Sequence, residues 1–323
     1  MGAGVVVCTW TGGERPGSES EEVLTLGRRV ADQISAPLAW LVVGPFPREA
    51  LGLGSRFGAG VVHRIEHEAL NTFRPDVYVE CLARYCREEN PQLMLFSQTF
   101  EVRLVAPRLA GRLRAGVVMN AVGLEVEEGK LLATAAAYGG DTRVVHALVG
   151  PAPHVVAVLP NAVLPEPTGG GEPTVRAISM DLSDVQERIQ VVSPAKAEGP
   201  RLEDASVIVA GGRGLGNAAN FRLVEELAAA LGGMAAASRP LVDDGWVDAS
   251  RQVGLTGKIV RPALYVAAGI SGASQHMAGC SAAKTLVAIN RDPGAAIFRY
   301  ARYGIVGDCL EILPELTKAV QAR

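Results

Sequence analysis

Long apolar runs are missing from this sequence. None approaches the ~18 residues of a membrane-crossing helix, so no membrane span is expected. The amino terminus, "MGAGVVVCTW", has neither a charged leading region nor a long apolar core, and no signal peptide is expected. A dominant charge is missing as well: 31 Lys and Arg stand against 34 Asp and Glu, for a net charge of −3. With no basic cluster, a nucleic-acid partner is not expected. Cysteine is scarce and odd in number, five without framework spacing, which argues against a disulfide scaffold and for a reducing, cytoplasmic setting. Cys81 and Cys86 fall on one predicted helix with no further ligand types beside them, so they read as structural. Aromatic residues, at 5%, are few.

What is abundant is small and apolar. The 323 residues are 48% hydrophobic with 37 glycines, enough for two cores built with tight turns and close helix packing. "GVVVCTW", "PLAWLVVG", "VVHRIEH" and "PQLMLFSQT" read as strands. Between them lie helical patterns: "SEEVLTLGRRVADQI", with Ser20 as N-cap and Glu21 and Glu22 in its first turn, and "PDVYVECLARYCREEN", opened by Pro75. "VRLVAPRLAGRLRAG" is a further helix. Strands alternating with helices imply parallel pairing, because each crossover helix buries a face on the sheet. From Val117 onward short extended runs take over. "EVEEGKLLATAAAYGG" predicts a hairpin turning at Glu128-Gly129, so the first half gains antiparallel or mixed strands. The Pro- and Gly-rich stretch 165–175 reads as a loop, and the domain boundary is placed within 193–203. The expected fold class is α/β, with two parallel-sheet domains, 1–195 and 196–323, the second smaller and doubly wound.

In the second half, "ASVIVAGGRGLG", the short strand within "MAAASRPLVDDGW", "ALYVAAG", "TLVAIN" and "YGIVGD" each run from a strand into polar or glycine residues. Ligands of open parallel sheets lie beyond the carboxyl ends of the strands. The residues there suit a dinucleotide. Glycines admit a diphosphate to backbone N–H groups, Ser271 and Ser274 offer hydroxyls, and Asn290 and Asp308 can hold ribose or adenine. Arg239 and His276 can offer positive charge or donors to an electron-rich ring, while Asp243 and Asp244 read as a solvated turn. "GGRGLG" departs from the nicotinamide fingerprint in spacing, and no acidic residue follows about 20 positions on. An NAD-dependent oxidoreductase is therefore a weaker alternative. A module in which FAD or AMP is only structural is another.

"GGRGL", "ASRPLVDDGW", "QVGLTGKIVRPALYVAAGISGASQHMAGC", "VAINRDPGAAIF" and "YGIVGDCLEILPEL" resemble, in order, the motif run of electron-transfer flavoprotein alpha subunits. "LTLGRRVADQ", "PQLMLFSQT", "VAPRLAGRLRAG" and "AYGG" extend the likeness over the first half. The resemblance implies a heterodimer with a beta subunit and FAD held mainly by the carboxyl-terminal domain. Electrons would come from dehydrogenases and go to a quinone reductase or another acceptor. It implies that Arg213 and Arg239 lie near the flavin and its phosphates, with Ser238 at a phosphate or ribose. It gives the loop Gln252, Val253, Gly254, Thr256 and Gly257 to cofactor binding, with the Thr256 hydroxyl facing flavin N5. It wraps Gly269, Ile270, Ser271, Gly272, Ala273, Ser274 and Gln275 about the pyrophosphate, sets His276 at the N1–C2=O edge, and gives Asn290 and Asp308 to the adenosine side. A charged hydrogen bond at that edge is worth about 1.5–3 kcal/mol, roughly 60–130 mV on the first electron. Leu255 stands where the family usually has glutamine, which implies an altered flavin potential. Gly216-Asn217 likewise replaces a more usual lysine-serine after "GRGL", which makes phosphate contacts at that turn less secure.

Overall fold

The computed structural model describes residues 4–10, 16–137, 142–160, 162–189 and 201–322. Most of the expected boundary, 193–200, and the end of the "AYGG" motif lie outside the described residues. Two compact units divide the chain, the first of Met1–Ala137 with Arg143–Pro194 and the second of Ala195–Arg323 with Tyr138–Thr142.

The first unit opens with β1 (Val5–Thr9), α1 (Ser18–Gln33), β2 (Leu38–Val43), α2 (Ala50–Arg56), β3 (Val61–Ile65), α3 (Pro75–Glu89), β4 (Leu93–Ser97) and α4 (Phe100–Leu113). It closes with β5 (Val117–Glu127), β6 (Lys130–Ala137), β7 (Thr142–Ala147), β8 (His154–Val158) and β9 (Thr174–Ala177). These nine strands form one sheet, ordered β7-β6-β5-β8-β4-β1-β2-β3-β9. Pairing is parallel from β5 through β8, β4, β1, β2 and β3 to β9, and antiparallel between β5 and β6. The period of two divides the core. Val5 and Val7 face α1 and α2, and Val6 and Cys8 face α3 and α4. The β5–β6 hairpin turns where expected, at Glu128 (φ 49°) and Gly129 (φ 75°), the two left-handed residues a two-residue turn needs.

Three local readings change. The α1 cap is Gly17 rather than Ser20, which sits buried inside the helix. Helix α2 was not anticipated, because Gly52 and Gly54 break its apolar pattern. The "SRPLVDD" stretch is the short helix α6 (Arg239–Asp243) rather than a loop, with Ser238 at its cap and Pro240 in its first turn, where a missing N–H costs nothing. Cys81 and Cys86 lie inside the core, and burial pushes both thiols up to about 12.

The second unit contains β10 (Val207–Gly211), α5 (Phe221–Ala230), β11 (Met234–Ala237), α6, β12 (Leu264–Ala268), α7 (Ser274–Cys280), β13 (Thr285–Asn290), β14 (Tyr303–Val306) and α8 (Cys309–Gln321). Its five strands are all parallel, in the order β11-β10-β12-β13-β14. Helices α5 and α8 cover one face, with Val224, Leu227 and Leu313 buried there. On the other face α7 contributes Met277 and Cys280, packed with Tyr265 and Ile297. The winding direction reverses between β10 and β12, so the connections beyond their carboxyl ends leave toward opposite faces of the sheet and open a crevice there. Among the described residues no helix is long and apolar enough to cross a membrane.

Candidate functional site

At that crevice is a cavity of about 640 Å³, a size that suits a large organic ligand. Its walls come from four strand ends. Arg213 and Gly214 follow β10; Ser238, Arg239 and Pro240 follow β11; Gly269, Ile270, Ser271 and Ala273 follow β12; Asn290 ends β13. The loop Gln252, Val253, Gly254, Leu255 and Thr256 and the α7 residues Gln275 and His276 complete it.

The glycines act differently from the expectation. The N–H groups of Gly212 and Gly214 donate to the carbonyls of Ala268 and Gly269, at 2.9 and 3.0 Å, rather than into the cavity. A Cβ on Gly212 would lie 2.3 Å from the Gly269 oxygen. These glycines therefore let two strand-end loops pack backbone against backbone. Gly272 (φ 86°) does the same one step further: a Cβ there would lie 2.2 Å from the Ile297 nitrogen. Gly257 supports its own loop, since a Cβ would meet the Gln252 oxygen at 2.4 Å. Neither Gly272 nor Gly257 lines the cavity.

The cations hold carboxylates. Arg239 Nε lies 3.1 Å from Asp243 Oδ2, and Arg213 Nε lies 3.9 Å from Asp244 Oδ2. All four side chains are exposed, so each pair contributes at most about 1 kcal/mol and exchanges readily for an anionic ligand. Asp243 and Asp244, read as a plain solvated turn, are thus counter-ions to the two cavity arginines.

The hydroxyl and amide groups are also arranged. Gln252, buried, donates from Nε2 to Thr256 Oγ1 at 3.0 Å, leaving the Thr256 hydroxyl proton for a ligand acceptor. Asn290 donates to the Ile270 carbonyl at 2.9 Å and accepts from Asp292 N–H at 3.0 Å, fixing the floor between β12 and β13. Asp308 is not brought to the cavity. It caps α8, accepting from Leu310 N–H at 2.9 Å. Ser274 stands at the start of α7, its hydroxyl 3.3 Å from Gln275 Oε1, also off the lining.

His276 departs most from the sequence reading. The side chain is buried, with Nδ1 3.1 Å from the Val253 carbonyl and Nε2 3.1 Å from the Tyr265 hydroxyl. A carbonyl only accepts, so Nδ1 carries the hydrogen. Burial pushes the imidazole down to about 4, while the Val253 carbonyl pulls weakly the other way. The ring is neutral at pH 7, and both nitrogens are engaged within the protein. The expected cation at this position is corrected to a neutral, fixed wall. Tyr265 is a residue the sequence reading missed, though an aromatic in an otherwise small-residue strand was a usable signal. Pro240 was missed as a lining residue too.

A doubly wound sheet with guanidinium, hydroxyl, amide and apolar groups converging at its reversal point defines a dinucleotide-binding protein. Residues 201–281 match the model of the electron transfer flavoprotein FAD-binding domain, and residues 11–183, more than half the chain, match the electron transfer flavoprotein domain. The chain is 35% identical to the electron transfer flavoprotein subunit alpha of Thermoanaerobacterium thermosaccharolyticum, over 93% of this chain and 92% of that one. It is 37% identical to protein FixB of Clostridium saccharobutylicum, over 92% and 90% of the two chains. Against subunit alpha of Bacillus subtilis it is 38% identical over 81% of each. The chain belongs to the electron transfer flavoprotein alpha subunit family, and its cofactor is FAD.

The residues present fit that cofactor. Two guanidinium groups suit a diphosphate, Ser238 and Thr256 suit ribityl or ribose oxygens, and Ile270, Val253 and Leu255 suit the faces of a fused ring system.

Proposed function

We propose that this chain is the flavin-carrying half of a heterodimeric electron carrier. Paired with an electron-transfer flavoprotein beta subunit, it takes electrons from dehydrogenases and passes them to a quinone reductase or another acceptor oxidoreductase, in the cytoplasm. The observation that carries the reading is the cavity at the sheet's reversal point, with its convergent cations, hydroxyls and neutral imidazole.

Bound FAD supplies the redox chemistry, which no amino-acid side chain here provides. The chain's own part is binding and electrostatics. Arg213 and Arg239 exchange Asp244 and Asp243 for the anionic ligand. Thr256, oriented by Gln252, donates its hydroxyl proton. Ile270, Val253 and Leu255 exclude water, which strengthens each polar contact inside.

Co-expression with a candidate beta subunit from the same source tests this. The expected product is a yellow 1:1 complex with flavin absorbance that bleaches on reductive titration, while the alpha chain alone loses FAD on gel filtration or self-associates. A stable but colourless complex contradicts the reading.

Leu255 lines the cavity with an apolar side chain, its N–H donating to the Gln275 carbonyl at 2.7 Å. Leu255→Gln returns a donor of about 1 kcal/mol, so the first reduction potential is expected to rise by roughly 40 mV. Spectroelectrochemical titration of both complexes measures it. An unchanged potential removes Leu255 from the determinants.

A further inference from the structure

The geometry points to Tyr265 as a positioning residue for the flavin site: its hydroxyl occupies the Nε2 lone pair of His276, whose Nδ1 hydrogen the Val253 carbonyl holds, so that the imidazole presents no ring N–H and no charge to the cavity. The inference rests on the flavin reading of the cavity, and it adds a residue on β12, the strand before the helix that carries the histidine.

The chain of contacts is short. Tyr265 lies on β12 and is fully buried, and its ring stands 6.1 Å from that of His276. Its hydroxyl lies 3.1 Å from His276 Nε2. On the far side of the ring, Nδ1 lies 3.1 Å from the Val253 carbonyl, which can only accept. One proton must therefore sit on Nδ1, and the Nε2 lone pair must accept from Tyr265. The tyrosine cannot reverse this bond, because burial keeps its hydroxyl protonated far above neutral pH.

Cys280, on α7, also meets the Tyr265 hydroxyl, but a sulfur is a weak acceptor beside an imidazole nitrogen. Burial holds the Cys280 thiol protonated, and its sulfur approaches the His276 carbonyl at 3.6 Å. Val253 belongs to the cavity loop that carries Thr256, so the histidine also ties that loop to β12. The hydrogen bond from Tyr265 is made to the neutral ring. It therefore opposes protonation and keeps positive charge away from the cavity wall until the ring is strongly acidified.

Tyr265→Phe removes the one donor to Nε2 and keeps the ring volume. The first readout needs no flavin. In the full-length apo chain, nitrogen-15 spectra of the imidazole should show a protonated Nδ1 and a hydrogen-bonded, unprotonated Nε2. In Y265F the Nε2 signal should move to the free-pyridine position, and the ring should titrate about one pH unit higher. The second readout is the flavin midpoint potential of the reconstituted complex. It should be more positive in Y265F than in the native protein at pH 5, and equal at pH 8. His276→Gln combined with Tyr265→Phe should abolish that difference, which separates tuning through the histidine from a general packing loss.

A protonated Nε2 in the native chain, or an imidazole titration unmoved in Y265F, overturns the proposal. So does a Y265F complex whose potential matches the native one at both pH values. Expected nitrogen shifts together with no FAD uptake overturn the flavin reading, and with it the tuning role, while the tautomer assignment stands.

Discussion

Gly272→Ala is expected to empty the flavin site and to lower the stability of the second unit by about 3 kcal/mol or more. Two costs combine. Alanine in the left-handed conformation that Gly272 adopts (φ 86°) costs roughly 1–2 kcal/mol. The new methyl group would also sit 2.2 Å from the Ile297 nitrogen and 2.4 Å from its Cα, backbone atoms that cannot rotate aside. The segment after Ala295 must withdraw, which uncovers the fully buried Ile297 and breaks the bond from its N–H to the Ser271 carbonyl. Overpacking of this kind typically adds about 1–3 kcal/mol. Ser271 lines the cavity, so the ligand wall moves with it. Gly111→Ala in α4 is the control. Nothing lies within 4 Å of a Cβ there, and removing a glycine from a helix should stabilise by about 0.5–1 kcal/mol. Urea unfolding and FAD fluorescence, measured on both variants, decide the matter. A G272A protein that keeps native stability and full FAD would show that the loop is not held as described.

Acid should weaken the same unit through His276. Its folded value of about 4 lies below the ordinary 6.5, so between these values the unfolded chain binds more protons than the folded one. Stability therefore rises with pH across that window, is flat above it, and falls as pH drops from 6.5 to 4. A change of about 2.5 pH units at 1.36 kcal/mol each gives a loss of roughly 3 kcal/mol at pH 4. His63 and His154, also lowered by burial, belong to the first unit and act there. His276 is the only histidine after residue 195. Hydrogen exchange on β12 and α7 of the apo chain, followed from pH 7 to pH 4, isolates its effect. The native slope should flatten in His276→Gln. An equal slope in both would assign the acid sensitivity elsewhere.

Much of this architecture could be read from residue order. Alternating β-branched runs and amphipathic helices carry their own periodicity, which is why β1 to β4 and their helices emerged directly. The hairpin at Glu128-Gly129 is equally local. What stayed hidden depends on partners distant in sequence or on weak local signals. Helix α2 carries two glycines and is stabilised by burial of Leu53 rather than by its own propensity. The residue types at the cavity were legible, but not their hydrogen-bonding state. Gly212 and Gly214 look like a phosphate loop, yet their N–H groups go to β12, a neighbour only in the folded sheet. Asp308 looks like a ribose ligand, yet the start of α8 takes its carboxylate. His276 looks like a cation. Its neutrality comes from burial, and both ring nitrogens are taken by Val253 and Tyr265, none of which a strand-end motif reveals.

The central claim is that FAD occupies the carboxyl-end crevice of the second sheet. Hydrogen exchange of the alpha–beta complex, compared with and without FAD, tests it directly. The account predicts protection concentrated in three segments: 238–241, 252–257 and 269–276. Protection absent from all three, or confined to the strand ends of the first unit, would contradict it.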